Sequence, residues 1–151
     1  MSPLLKKQEH WNMQKEISVV IDTNWWISLF LSKYKSPLTD LFLNKKLIVY
    51  RSYYLTQEIC NVVIRPKFKG LFSINYFEDF IERYEKSTTL INVISRLALC
   101  RDEDDNFLLA LAKDAKADFL ITGDKDLLVL KKFEITSILT LPEFLAKLNK
   151  T

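Results

Sequence analysis

The chain has 151 residues, of which 48 % are hydrophobic and 13 % aromatic, so it can bury one sizeable core and is not a disordered chain. Its formal net charge of +3 allows a polyanionic partner without requiring one. It contains only two glycines, one histidine and two cysteines, which excludes glycine-rich phosphate loops, an HExxH zinc site, a Cys₄ zinc site and a disulfide framework. The 19 carboxylates remain as candidate metal ligands, and oxygen ligands favour Mg²⁺ or Mn²⁺.

In chain order, residues 1–16 are polar and of mixed charge, and we interpret them as an N-terminal arm of unknown role that precedes a single domain at 17–148. The domain begins with ISVVI (17–21), a β-branched, apolar run that is typical of a strand buried on both faces. Further strands are predicted at 47–51, 89–94, 118–122 and 135–139. Helices are predicted at 24–31, 37–44, 53–65, 74–86, 102–115, 125–130 and 141–147. Ser36-Pro37 and a Thr140–Glu143 capping box open two of these helices.

This alternation of strands and helices predicts a three-layer α/β/α fold with a central, mostly parallel, five-stranded sheet. The two cysteines are compatible with a reducing compartment. The sequence contains neither an apolar run of roughly 18 residues nor the uninterrupted apolar segment of a secretory signal. We therefore expect a cytoplasmic protein.

Acidic residues follow several of the predicted strands. Asp22 directly follows the first strand, Asp124 follows the fourth, and Asp102, Asp104 and Asp105 open the helix after the third. Ligands of open parallel sheets bind just beyond the carboxyl ends of the strands. We therefore expect these carboxylates to meet at one edge of the sheet.

Two acids are also expected to be partly desolvated. Glu58 lies on the flank of the apolar stripe of helix 53–65, and Asp105 lies on the buried side of its own helix, so each needs a partner. Taken singly, every acid has a simpler interpretation, as a helix cap, a first-turn acid, a turn residue or a surface acid. Together, acids from four chain segments would repel one another unless a cation lay among them.

Carboxylates around Mg²⁺ or Mn²⁺ have a chemical use that requires no histidine or thiol. The metal offsets phosphate charge, lowers the pKa of a bound water and orients it for attack on phosphorus. The composition therefore suits a phosphodiester hydrolase.

Four segments carry a resemblance to a known family. They are VVIDTNWWIS around Asp22, LTQEICNVV around Glu58, CRDEDDNFLLALAKDAKADFLITGDKDLL around Asp105 and Asp124, and ITSILTLPEFL near the C-terminus. In order, spacing and context over residues 17–148, the chain resembles PIN domains, and most of all the VapC-like toxin subunits of bacterial and archaeal toxin–antitoxin operons.

The resemblance implies a five-stranded parallel sheet between helices and metal-dependent endoribonuclease activity with Mg²⁺ or Mn²⁺. The catalytic acids that it implies are Asp22, Glu58, Asp105 and Asp124. Of these, Asp22, Asp105 and Asp124 would bind the metal, and Glu58 would position water or a second ion. The supporting residues that it implies are Asn24, Thr122, Asp126 and Asp104, with Asp126 and Asp104 as rivals of Asp124 and Asp105. Family members commonly form homodimers or larger homo-oligomers, and an antitoxin protein blocks the groove beside their active site.

Other functions remain open at this stage. Basic residues near the acid-bearing elements are compatible with an RNA-contacting rim or with an ordinary solvated surface; they are Arg51, Arg65, Lys67, Lys69, Arg101 and Lys125. A housekeeping RNA-processing nuclease is the main alternative to a toxin, and a neighbouring antitoxin gene would discriminate the two. A non-catalytic α/β binding module of the receiver type is disfavoured, because such a domain has no use for Glu58 on a helix. A catalytically inactive PIN scaffold is also disfavoured, because it need not keep all four acids.

Overall fold

The computed structural model of the protein describes residues 16–42 and 47–149. All but the last residue of the predicted N-terminal arm, and the predicted helix end at Asn44, lie outside these ranges. Within them, no helix combines the length and the apolar character that are needed to cross a membrane.

The described strands form one central sheet. They are β1 Ile17–Ile21, β2 Leu47–Arg51, β3 Thr89–Leu90, β4 Phe119–Ile121, β5 Lys132–Phe133 and β6 Thr136–Leu139. Their order across the sheet is β3-β2-β1-β4-β6-β5. All neighbouring pairs are parallel except β5 and β6. The central strands β1 and β4 end at the same level, since Ile21 pairs with Ile121, and this alignment places the residues after both strands side by side.

Helices flank this sheet. Those in the described ranges are α1 Thr23–Leu31, α2 Thr39–Phe42, α3 Tyr53–Val63, α4 Ile74–Ser87, α5 Glu103–Ala115, α6 Lys125–Leu128 and α7 Leu141–Asn149, with a 3₁₀-helix at Pro66–Phe68. Short polar side chains explain where several of them begin. Ser52 and Ser73 cap α3 and α4 by accepting backbone N–H bonds, and Thr140 and Glu143 bond reciprocally as the predicted capping box of α7.

The core lies on both faces of the sheet. Val19, Val20 and Ile21 are fully buried, as predicted for a strand that is covered on both sides. Trp26 of α1 is buried against Tyr84 of α4 in an edge-to-face contact, with ring centroids 4.7 Å apart. The three-layer α/β fold with a mostly parallel sheet is therefore confirmed.

The sheet differs from the prediction at its two edges. A sixth strand, β5, forms an antiparallel hairpin with β6 around Glu134, which has a positive φ of 54°. The sequence contains none of the Asn-Gly or Asp-Gly pairs that announce such a turn, so the hairpin was not predicted. At the opposite edge, β3 spans two residues rather than the six predicted, because Asp114 holds the backbone N–H groups of Ile94 and Ser95 at 2.7 and 2.9 Å.

The helix predicted to open at Pro37 begins two residues later. The Ser36 hydroxyl accepts from the Leu38 N–H at 3.2 Å, and the Thr39 N–H donates to the Ser36 carbonyl at 2.9 Å. These bonds make a turn, so Pro37 lies within that turn and α2 starts at Thr39.

Candidate active site

The ends of β1 and β4 place Asp22 next to Thr122. The Asp22 N–H donates to the Ile121 carbonyl at 3.0 Å, which extends the strand pairing by one residue. The Asp22 carboxylate caps α1 by accepting from the Asn24 N–H at 3.1 Å, and its other oxygen accepts a 2.6 Å bond from Thr122 Oγ1. Burial raises the pKa of Asp22, although these two hydrogen bonds favour its charged form.

Thr122 also joins Asp22 to Asp124. The Thr122 side chain is fully buried, and its Oγ1 accepts from the Asp124 N–H at 3.0 Å while donating to Asp22. The Asp124 carboxylate in turn caps α6 by accepting from the Asp126 N–H at 2.8 Å. One buried hydroxyl therefore sets the relative positions of two acids that are distant in sequence.

The start of α5 supplies three further acids. Asp102 caps the helix by accepting from the Asp104 N–H at 2.9 Å. Asn106 anchors the incoming loop, since its side-chain oxygen accepts from the Leu99 and Cys100 N–H groups at 3.0 and 2.8 Å. With its own helix start and the preceding loop both fixed, α5 directs its first turn at Asp22 and Asp124.

Asp105 is the most deeply buried of these three acids, with only 4 % of the residue exposed. Its Oδ2 atom is buried and has no hydrogen-bond partner. Burial, and then the nearby Asp124 carboxylate, raise the pKa of Asp105 to about 7. An unpartnered buried carboxylate beside a second one is costly, which indicates that a cation completes the site.

The donor set fits a hard divalent cation. Oxygen atoms of Asp105, Asp124 and Asp126 lie within 4.8 Å of one another, and carboxylate oxygens are the ligands that Mg²⁺ and Mn²⁺ prefer. Asp126 is exposed and also pairs with Arg101 at 3.3 Å. Asp22 lies beside this group, because Thr122 Oγ1 donates to Asp22 and accepts from the Asp124 N–H.

Glu58 joins the site from α3. Its Oε2 accepts from Thr23 Oγ1 at 3.0 Å, and its carboxyl group also hydrogen-bonds with Asp104. Asp104 accepts a further hydrogen bond from the Tyr54 hydroxyl. Burial, and then the contact with the Asp104 carboxyl group, raise the pKa of Glu58 to about 7, because both disfavour a second negative charge at this place.

These side chains surround one cavity of about 360 Å³, hereafter the acidic cavity. Its acidic lining consists of Asp22, Glu58, Asp102, Asp104, Asp105 and Asp124. Arg65 and Lys67 supply positive charge at the same cavity. The arrangement can hold a cation among carboxylates and can attract an anion to the neighbouring basic side chains.

The structure brings together most of the residues that were singled out in the sequence. The four acids of the predicted quartet line the acidic cavity with Asp104 and Asn24, and Thr122 lies buried against Asp22. Asn24 donates to Asp22 through its backbone N–H. Asp126 is not part of the lining, although it lies within metal-sharing distance of Asp105 and Asp124.

The cap interpretation and the metal interpretation are both compatible with some of these acids. Asp22, Asp102 and Asp124 are N-caps of α1, α5 and α6. Asp105 and Glu58 instead lie inside helices, where capping cannot explain them.

Of the predicted basic rim, Arg65 and Lys67 line the cavity. Arg51 instead donates to Thr88 and to the Glu85 carbonyl. Sequence reasoning missed Thr23 and Tyr54. Tyr54 lies four residues before Glu58, on the same side of α3, and this spacing was the available signal.

Comparisons with known proteins agree with this geometry. Residues 18–126 match the PIN domain family. The chain is similar to the uncharacterised protein MJ1680 of Methanocaldococcus jannaschii, with 35 % identity over 119 residues that cover 77 % of this chain and 76 % of that protein. Its fold is similar to the crystal structure of PAE2754 from Pyrobaculum aerophilum, with a TM-score of 0.57 and 13 % identity over 92 % of this chain and 95 % of that one. PIN domains are generally metal-dependent nucleases, and the chain belongs to the PIN domain family.

Proposed function

We propose that the protein is a metal-dependent endoribonuclease that hydrolyses phosphodiester bonds in RNA, and that it is the toxin of a type II toxin–antitoxin pair. The observation that carries the nuclease proposal is the convergence of Asp22, Glu58, Asp105 and Asp124 from four chain segments on one cavity. The buried, unpartnered Oδ2 of Asp105 supports a bound cation there.

In this proposal Asp22, Asp105 and Asp124 hold the metal, and Asp126 or Asp104 supports them. When bound, Mg²⁺ or Mn²⁺ offsets phosphate charge and makes an attacking water acidic. Thr122 keeps Asp22 and Asp124 in register by donating to one and accepting from the other. A ligand set held in this way needs little reorganisation when metal and substrate bind.

Glu58 has the properties of a group that handles a proton near neutral pH. Its pKa is raised to about 7, so it can accept or release a proton at the pH of a cell. Thr23 holds one oxygen of this carboxyl group and Asp104 contacts it as well, which restricts its orientation. We assign Glu58 to positioning the attacking water.

The cationic side chains of the cavity favour a polyanionic substrate. Arg65 and Lys67 belong to the loop and 3₁₀-helix that follow α3, and both line the acidic cavity. Phosphate contacts of this kind attract a nucleic acid without reading its sequence.

The direct test is cleavage of a structured RNA pool in Mn²⁺, in Mg²⁺ and in EDTA, with the parent protein and two variants. Asp22→Asn keeps the shape of the side chain and removes its charge, and we expect metal-dependent cleavage to disappear. Asp40→Asn changes an exposed acid in the first turn of α2 and is the matched control that should cleave like the parent. Equal cleavage by the parent and Asp22→Asn, both folded by circular dichroism, would show that Asp22 is not in the active site.

The toxin role rests on the similarity of the sequence to VapC-like subunits, and it has a separate test. Induced expression of the parent chain should arrest bacterial growth, whereas Asp22→Asn should not. Co-expression of the product of a small neighbouring gene should restore growth if that gene encodes the antitoxin. Normal growth despite RNA cleavage in vitro would favour a housekeeping RNA-processing nuclease.

A further inference from the structure

A second and larger concavity lies next to the acidic cavity. This aromatic groove has a volume of about 670 Å³ and is formed by the start of α3, the irregular segment 91–97 and one side of α5. Its aromatic lining is Tyr53, Tyr54 and Phe107. The volume is in the range of sites that hold small organic groups.

The exposed aromatic residues are concentrated in this groove. Tyr53 is 73 % exposed, Phe107 37 % and Tyr54 36 %. Among the side chains that the structure describes, these are the most exposed aromatic ones. Exposed apolar rings cost free energy in water, and three of them around one groove are typical of a binding surface. Tyr54 and Phe107 stack on each other, with ring centroids 3.7 Å apart and an interplanar angle of 15°, so each ring has one face covered by the other.

The aromatic groove and the acidic cavity adjoin at Tyr54 and Asp104, whose side chains separate them. The Tyr54 ring lines the groove, while its hydroxyl donates to Asp104, which lines the acidic cavity. A strand of RNA with its scissile phosphate at the acidic cavity would therefore present its neighbouring nucleotide to the groove.

The polar lining of the groove suits a nucleotide. Arg96 is exposed and can contact a backbone phosphate. Asn92 and Glu103 offer hydrogen-bond donors and acceptors to the edge of a base. Flat rings beside hydrogen-bonding groups and a cation are the combination that single-stranded nucleic acids require.

We propose that the aromatic groove binds an unpaired nucleobase of the RNA substrate, stacked on Tyr53 or Phe107, next to the phosphate that is cleaved. This inference rests on the proposed function for its substrate. It adds that the nucleotide in the groove is unpaired in the free substrate, because extruding a base from a duplex costs free energy of unstacking and unpairing.

Binding is measured in EDTA, so that cleavage does not interfere, by fluorescence anisotropy of the full-length protein with three labelled probes. The probes are a single-stranded oligoadenylate, an abasic strand of the same length and a blunt RNA duplex. We expect the oligoadenylate to bind more tightly than the other two. Tyr53→Ala and Phe107→Ala should each weaken its binding by roughly 5- to 100-fold, the range of base–aromatic stacking.

Further variants separate stacking from other roles. Tyr53→Phe should bind like the parent, and Tyr53→Leu should bind like Tyr53→Ala, because only the former keeps a ring. For every probe, Arg96→Gln should reduce the slope of log affinity against log salt concentration by about one, the value of one phosphate contact. Ile74→Ala is the matched control, since Ile74 on α4 is also 73 % exposed, and it should bind like the parent.

Parent-like binding of oligoadenylate by both alanine variants would overturn the proposal. So would an equal loss of affinity for the abasic strand. A shift of Tyr53→Ala from dimer to monomer in analytical ultracentrifugation, with unchanged RNA affinity, would show that the groove is a protein interface instead. Base-dependent binding without cleavage of any RNA would refute the nuclease proposal alone, whereas cleavage with an unchanged KM in both alanine variants would refute the groove alone.

Discussion

Replacing Asp105 by Asn should stabilise the metal-free protein and prevent metal from stabilising it further. Asp105 is 4 % exposed, its Oδ2 has no partner, and its pKa is raised from 3.8 to about 7. In the metal-free fold its negative charge is therefore unfavourable. An Asn amide at the same position carries no charge and can donate a hydrogen bond to the Asp124 carboxylate.

The magnitude follows from the pKa shift. One pKa unit corresponds to about 1.4 kcal/mol, so the full shift from 3.8 to about 7 corresponds to about 4 kcal/mol. Solvent screening reduces the cost of the Asp105 charge to about 2–4 kcal/mol at pH 8 without metal. For a chain of this size, that is a rise in Tm of about 5–15 °C for Asp105→Asn. The pKa of Asp105 in the folded state lies above its unfolded value of 3.8. The free energy of unfolding of the parent therefore falls as pH rises from about 4 to about 7. The advantage of the variant should therefore be absent near pH 4 and constant above pH 7.

Metal should reverse the order of stability. A cation at 1,000 times its Kd stabilises the folded parent by about 4.1 kcal/mol, which exceeds the advantage of the variant, and Asp105→Asn should lose most of that gain. Thermal unfolding followed by circular dichroism, at several pH values in EDTA and in saturating Mn²⁺, tests both parts. If Asp105→Asn melts below the parent in EDTA at pH 8, the negative charge of Asp105 does not destabilise the metal-free fold, and the reasoning is refuted.

Three further predictions concern residues that support the site. Asp114→Asn should lower the free energy of unfolding by about 1–3 kcal/mol in urea titrations at pH 7, because it weakens the bonds that hold Ile94 and Ser95. Although burial opposes the charge of Asp114, these bonds lower its pKa, so its contribution should be present above its unfolded pKa and lost as pH falls through its folded pKa. Thr122→Val should weaken Mn²⁺ binding by about 10- to 100-fold in calorimetry, with Thr122→Ser close to the parent, because only the hydroxyl joins the two acids. Asn106→Ala should cost about 2–4 kcal/mol and raise hydrogen exchange at the loop before α5, and unchanged exchange there would contradict the anchoring role.

From the sequence alone, the acids of the site could be interpreted as helix N-caps or as metal ligands, and the structure shows why. An Asp after a parallel strand has the position of a helix N-cap and the position of a ligand at the edge of the sheet. Asp22 serves as a cap with one oxygen and bonds Thr122 with the other, so the first role leaves room for the second. Asp105 favours the metal interpretation, because it is not the N-cap of α5 and has a buried oxygen without a hydrogen-bond partner.

The local pattern of the sequence was sufficient for the fold class and for most elements. The run ISVVI has to be buried on both faces, and Ser73 and the Thr140–Glu143 box place helix starts through bonds that span only three residues. The acidic edge could also be predicted, because strands that run parallel end at the same side of the sheet. These inferences need only periodicity, local hydrogen bonds and strand direction.

Other features depend on contacts between residues that are far apart in the chain. The hairpin of β5 and β6 is an exception, since it turns locally at Glu134 without an Asn-Gly or Asp-Gly pair. The segment that follows β3 is held by Asp114 of α5, which lies well beyond it in the chain. The raised pKa of Glu58 beside Asp104, and the hydrogen bond from Tyr54 to Asp104 between the aromatic groove and the acidic cavity, arise where α3 meets α5. Burial and charge proximity are properties of the packed chain, so pKa values and the missing partner of Asp105 became visible only in the tertiary structure.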